Sequence, residues 1–175
     1  GTTDYREPAF EILQENGSRI SDFVYESHKI YDGKPELQGL PAVYVEEKEE
    51  AQTLEIILRD SLTGAKMTLY YTIMRDFPVI TRSMNLENDG DQSFDLTRAM
   101  SACLDLPDKD YEWVQLSGAW AREREIKTRK LEQGIQSVGS LRGNSSHNHN
   151  PFIALKRQSA DEFQGDVISM SLVYS

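Results

Sequence analysis

Two of the three histidines stand one residue apart in "GNSSHNHNPF", residues 143–152, a spacing that metal sites use. In an extended segment His147 and His149 would point to the same side. A metal would still need a third ligand and a supporting outer shell, and neither His28 nor Cys103 is tied to the pair by recognisable spacing. The Gly-Asn-Ser-Ser lead-in and the Asn-Pro exit mark a loop. Three readings therefore stand: metal ligands, a rim facing a ligand, or polar side chains bonded within a loop, the last being favoured. The second unusual stretch is "LSGAWARERE", residues 116–125, where small neighbours leave room around Trp120 and charged residues follow at once. An indole so placed can fill a core. It can also pack on the C–H face of a pyranose while charged neighbours hydrogen-bond its hydroxyls.

Other chemistry is harder to find. There is no G-x-S-x-G, P-loop, G-x-G-x-x-G, H-E-x-x-H or C-x-x-C. The acidic run "VEEKEEAQ" reads as a solvated loop. "DLPDKDY" lacks the regular oxygen-ligand spacing and following glutamate of a calcium loop, so it reads as a turn.

The net charge of −10 disfavours nucleic acid and anionic membrane as partners, while leaving neutral ligands such as sugars open. No apolar run approaches the roughly 20 residues a membrane helix needs. Cys103, the single cysteine, excludes an internal disulfide and fits a reducing, cytoplasmic compartment. Its setting in "MSACLDL" predicts a small buried core residue. Two glycosylation sequons, at Asn16 and Asn144, would matter only in a secreted eukaryotic chain.

The elements that must position these residues are strands. "TLEIILRD" and "AKMTLYYTIMRD" alternate apolar and polar residues around "SLTG", a hairpin signature. "VITRSMNLE" and "FDLTRAMSACLDL" repeat the arrangement around the turn at Asn88–Asp91. "YEWVQLS", "GIQSVGSL", "FIALKR" and "DVISMSLVYS" predict further strands, and "SDFVYESHKIYDGK" alternates with an ambiguous inward face. "AREREIKTRKLEQ", residues 121–133, fits either a short solvated helix or an exposed extended strand. Strands at 8–12-residue spacing predict one all-β domain, an antiparallel β-sandwich. The start at Gly1 and the strand-like ending in "SMSLVYS" predict an excised piece of a longer polypeptide.

Taken in order, "GTTDYREPAF", "GSRISDFVYESHKIYDGKPELQGLPAVYVE", "PVITRSMNLEN", "ACLDLPDKDYEWVQLSGAWARERE", "QGIQSVGSLRGNSSHNHNPF" and "SLVYS" closely resemble the N-terminal domain of bacterial α-galactosidases of glycoside hydrolase family 36. The resemblance runs through essentially the whole chain. It implies a β-supersandwich of the galactose mutarotase-like type, truncated at both ends, preceding a catalytic (β/α)8 barrel that this chain does not contain. It further implies a retaining enzyme that removes terminal α-1,6-linked galactose from melibiose- and raffinose-type oligosaccharides. The nucleophile and acid/base would be barrel aspartates, and no cofactor or metal would be needed. No residue of this chain matches those barrel motifs, so none is catalytic and the chain alone is expected to be inactive. Trp120, in "SGAWARER", matches a family tryptophan that reaches the galactose subsite. The resemblance attaches no ligand role to His147 and His149, which remain a loop or rim element. The implied partners are the protein's own barrel, an α-galactoside, and further copies in a tetramer. The rival readings are a self-sufficient carbohydrate-binding module and a purely structural sandwich.

Overall fold

The computed structural model describes residues 7–39, 41–107, 110–141 and 147–173. The described residues form ten strands, and the single 3-10 turn Lys48–Glu50 is their only helical element. In chain order the strands are β1 (Phe10–Gln14), β2 (Phe23–Asp32), β3 (Ala51–Asp60), β4 (Ala65–Met74), β5 (Ile80–Asn88), β6 (Phe94–Ala99), β7 (Tyr111–Ala119), β8 (Arg122–Lys130), β9 (His149–Arg157) and β10 (Val167–Ser171). Every pairing between them is antiparallel. They gather in two compact units that meet in sequence between Leu104 and Asp105.

The first unit holds a four-stranded sheet in the order β2-β3-β4-β5 and a separate β1–β6 pair. The hairpin expected from "TLEIILRD" and "AKMTLYYTIMRD" is β3–β4, whose register sets Thr53 directly opposite Thr72. Both threonines are buried. Their hydroxyl oxygens lie 2.8 Å apart, and Thr53 donates on to the Gly33 carbonyl at 2.6 Å. Buried hydroxyls paired in this way avoid the desolvation penalty that would otherwise weaken the sheet.

Asp60 closes the same hairpin. It is fully buried, and its Oδ1 accepts hydrogen bonds from the backbone N–H groups of Leu62 (2.8 Å) and Thr63 (3.3 Å). Its Oδ2 accepts from Asp22 N at 3.1 Å, tying the approach to β2 into the turn. The β3–β4 loop also lies against the β5–β6 loop with no room to spare. A Cβ on Gly64 would fall 2.5 Å from Gly90 Cα, and one on Gly90 would fall 2.4 Å from the Thr63 carbonyl oxygen.

The second unit is one sheet in the order β10-β9-β7-β8. Its edge strand β8 comes from the charged stretch that fits either a helix or a strand. It is extended and exposed along its whole length. A strand whose side chains all face water has no apolar stripe from which to build a helix face, and pairing with β7 satisfies its backbone.

Four expectations need correction. Strand β6 pairs with β1, which the sequence reading did not identify, so "VITRSMNLE" and "FDLTRAMSACLDL" are not partners in a hairpin. The strand ends at Ala99, and Cys103 is exposed instead of buried, because the chain leaves the pairing before reaching it. Residues 134–141, expected as a strand, belong to none, and Ile135 and Leu141 are exposed. Strand β10 stops at Ser171, short of the expected end.

Asp60→Ala leaves the part-buried backbone donors of Asp22, Leu62 and Thr63 without their acceptor, and urea unfolding should show a loss of roughly 1–3 kcal/mol. Asp60→Asn keeps an oxygen for Leu62 and Thr63 and should lose less. Equal losses in the two variants would show that the turn bonds contribute little.

Candidate functional site

Strands β7 and β8 are joined by two residues only, Trp120 and Ala121, between the opposed Ala119 and Arg122. Below this tip the ladder is irregular. From the Ser117–Glu125 pair to the Ala119–Arg122 pair, β7 supplies Gly118 alone while β8 supplies Glu123 and Arg124. Such a bulge bends the strand and re-aims the residues beyond it. Gly118 makes the bend possible, since a Cβ there would sit 2.1 Å from the Arg122 carbonyl oxygen.

The tip holds its shape against local preference. Ala121 has φ 63° and Arg124 has φ 60°, left-handed values that cost a residue with a Cβ about 1 kcal/mol or more each. A carboxylate clamp helps to hold it, with Glu123 Oε1 accepting from Ala121 N at 2.8 Å. Backbone hydrogen bonds from Glu123 itself and from Ala121 hold the Glu123 carboxyl below the ordinary value of 4.5, and the nearby His147 acts in the same direction. The product of this geometry is an indole raised into solvent, with Trp120 84% exposed.

The histidine loop meets the base of the same hairpin. Gly118 N donates to Asn148 O at 3.0 Å, and Ser117 stands opposite His149 in the β7–β9 register. Trp120, His147 and His149, distant in sequence, are thereby brought to one end of one sheet. His147 is exposed, whereas His149 is half-buried. The His149 Nδ1 lies 3.3 Å from Ser117 Oγ, the last link of a row along β7. Trp113 Nε1 donates to Gln115 Oε1 at 2.9 Å, and Gln115 Nε2 donates to Ser117 Oγ at 2.8 Å. Arg129, opposite Trp113, stacks its guanidinium 5.1 Å from the Trp113 ring centre and anchors the far end of the row.

Beside this row lies an open cleft of about 390 Å³, lined by Ser117, Arg122, Glu125, Lys127 and His149 among others. Lys127 Nζ donates to Glu125 Oε2 at 2.6 Å, and this bond is the main reason that the Glu125 carboxyl stays below its usual range. Among the described residues no cluster of three histidines, cysteines or carboxylates could hold a metal ion, so His147 and His149 have no third ligand there.

The sequence reading singled out Trp120 and both histidines and noted the charged residues after Trp120 as a group, but it did not connect Gln115, Ser117 or Lys127 with them. The alternation of Trp113, Gln115 and Ser117 on one strand face was the available signal.

An all-β, antiparallel architecture with an aromatic side chain raised at a hairpin tip defines a class of domain, and comparison with known proteins specifies which. The model of the glycosyl hydrolase family 36 N-terminal domain matches residues 1–175, and the chain belongs to that family. It is 52% identical over 175 residues to the α-galactosidase AgaA of Geobacillus stearothermophilus, covering all of this chain and 24% of that protein. The crystal structure of AgaA superposes with a TM-score of 0.91 over 95% of this chain and 23% of that one. A structure of an AgaA variant in complex with raffinose matches equally well, with a TM-score of 0.91 at 52% identity. The chain thus spans about a quarter of the length of the relatives it matches.

Two outcomes follow for the hairpin. Ala121→Gly relieves a left-handed residue of its Cβ and should raise the unfolding midpoint slightly, while Gly118→Ala should lower it markedly because the Arg122 carbonyl has nowhere to go. A destabilised Ala121→Gly variant would mean that the tip does not hold this backbone shape in solution. The clamp has a pH signature, because the folded-state pKa of Glu123 is lowered. Its contribution is complete above the ordinary carboxylate range and disappears as the pH falls through the lowered value. The difference in unfolding midpoint between the wild type and Glu123→Ala should therefore be largest near neutral pH and close under acid.

Proposed function

We propose that this chain is the non-catalytic N-terminal domain of a retaining α-galactosidase acting on terminal α-1,6-linked galactose in melibiose- and raffinose-type oligosaccharides. The observation that carries this reading is Trp120, an indole held in solvent at the tip of a strained hairpin. Strain kept at an exposed aromatic is what a ligand platform requires, since a rigid ring face loses little entropy when a sugar packs on it. The raffinose complex of an AgaA variant supports the substrate class. The chemistry belongs to a (β/α)8 barrel elsewhere in the protein. There, two carboxyl groups roughly 5–5.5 Å apart attack the anomeric carbon and protonate the leaving oxygen. Trp120 forms an apolar wall that keeps water from the glycosidic bond, and the histidine loop is part of the rim.

The surface supports docking to further protein. Among the described residues the buried hydrophobic side chains are few and half of them are alanines, while Ile30, Phe77, Ile80, Ile126 and Phe163 are exposed. Each unit thus carries exposed apolar side chains of its own, and both four-stranded sheets end in edge strands that further protein can cover. That cover comes from the barrel and neighbouring subunits of a homotetramer. The single cysteine suits a cytoplasmic site of action. Among the described residues no helix is long and apolar enough to cross a membrane.

In the full-length enzyme, Trp120→Ala should lower kcat/KM on p-nitrophenyl α-galactoside about tenfold or more, equivalent to ~1.4 kcal/mol of transition-state stabilisation. Melting temperature and oligomeric state should hold. Unchanged kinetics would reduce the domain to a scaffold.

A further inference from the structure

The turn that leaves β1 carries a reactive pair. Among the asparagines of the chain, Asn16 alone is followed by glycine. A side-chain amide in that position is open to attack by the glycine's own backbone nitrogen, because no Cβ crowds the nitrogen or restricts its rotation. The pair is exposed, and nothing lies within 4 Å of the place where a Cβ on Gly17 would stand. Two hydrogen bonds bear directly on the reaction. Ser18 N donates to Asn16 Oδ1 at 2.9 Å, and so meets the oxygen on which negative charge develops when a nucleophile adds to the amide carbon. Gly17 N donates to Gln14 O at 2.9 Å, so the attacking nitrogen is held by one bond of an exposed turn. Such a bond opens readily, since water replaces it at once.

We propose that Asn16 is a site of self-modification, at which the folded protein converts its own asparagine into aspartate and isoaspartate. Gly17 N leaves Gln14 O and gives its proton to hydroxide. The nitrogen then bonds to Asn16 Cγ, the bond from Cγ to the amide nitrogen breaks, and ammonia departs, leaving a cyclic imide. Water opens the imide at either carbonyl, so one water enters and one ammonia leaves with nothing oxidised or reduced. Opening at the main-chain carbonyl gives isoaspartate, which adds one atom to the backbone of the turn. Opening at the side-chain carbonyl gives aspartate, which still offers Ser18 N an oxygen. The two products therefore differ in effect. Gln14 N donates to Ser18 O at 2.9 Å, and Gln14 is also the residue of β1 that stands opposite Phe94 of β6. An extra backbone atom between them breaks this closure and loosens that end of the β1–β6 pair, whereas aspartate leaves it in place.

The test ages the full-length protein, folded, in neutral and in alkaline buffer, and then digests it with trypsin beside an unaged control. Cleavage after Arg6 and Arg19 releases residues 7–19, in which Asn16 is the one asparagine. Mass spectrometry should show this peptide exchanging an amide for an acid, faster at the higher pH, and chromatography should resolve an isoaspartyl and an aspartyl product. Gly17→Ala, which places a Cβ beside the attacking nitrogen, should slow the conversion about tenfold. Hydrogen exchange at Gln14 N should quicken in the aged protein and stay unchanged in fresh Asn16→Asp. A peptide that stays intact in the folded protein while it converts in urea-unfolded protein overturns the proposal, because the turn then seals the site. Aspartate without isoaspartate, or equal rates in Gly17→Ala and the wild type, would overturn it as well, since neither fits a cyclic imide.

Discussion

The site depends on a steric constraint, the approach of the Arg122 carbonyl to Gly118, which leaves no space for a side chain. That approach lets β8 carry two residues where β7 carries one, and the bulge turns the ladder just before the tip. A regular two-residue hairpin would keep Trp120 in line with the pleat. Here the tip is bent, Ala121 and Arg124 take left-handed backbone, and the indole stands clear of the sheet. Gly118 also carries the N–H that binds the Asn148 carbonyl, so one glycine sets both the tip and the seat of the histidine loop.

Charge acts on this frame at short range only. The protein is acidic overall, yet the hairpin tip and cleft mix Arg122, Lys127 and Arg124 with Glu123 and Glu125. Glu123 bonds to backbone N–H groups and Glu125 to Lys127, so each carboxylate has local donors that favour its charged form. Exposed pairs such as Lys127–Glu125 contribute little to stability by themselves. Their effect is to fix where donors and acceptors stand, which concerns recognition more than folding.

The strand pattern of the chain was largely legible because period-2 alternation is a local property. The β3–β4 hairpin, β5, β7 and β9 lie where alternation and turn residues predict them. Pairing between distant segments was not legible. β1 and β6 find each other across the whole first unit, and "FDLTRAMSACLDL" looks like half of a hairpin only because its neighbour in sequence is also a strand. The burial of Cys103 failed for a related reason, since an apolar run is buried only while a partner covers it. Trp120 was singled out by its small neighbours and by the family resemblance, and the structure places it at an exposed hairpin tip. The Trp113–Gln115–Ser117 row could be suspected from spacing, but its last member, His149, lies 32 residues from Ser117 and is delivered by β9.

The energetics of the hairpin favour a covered tip. The left-handed residues Ala121 and Arg124 cost about 1–2 kcal/mol each. Burying an indole removes some 150–250 Å² from water, worth roughly 4–6 kcal/mol at about 25 cal/mol per Å². None of that gain is collected while Trp120 is 84% exposed, so the strain is offset only by the ladder and the Glu123 clamp. A chain under selection for stability alone would replace Ala121 with glycine and Trp120 with a polar turn residue. Retaining both makes sense when the indole face meets a surface that repays its exposure.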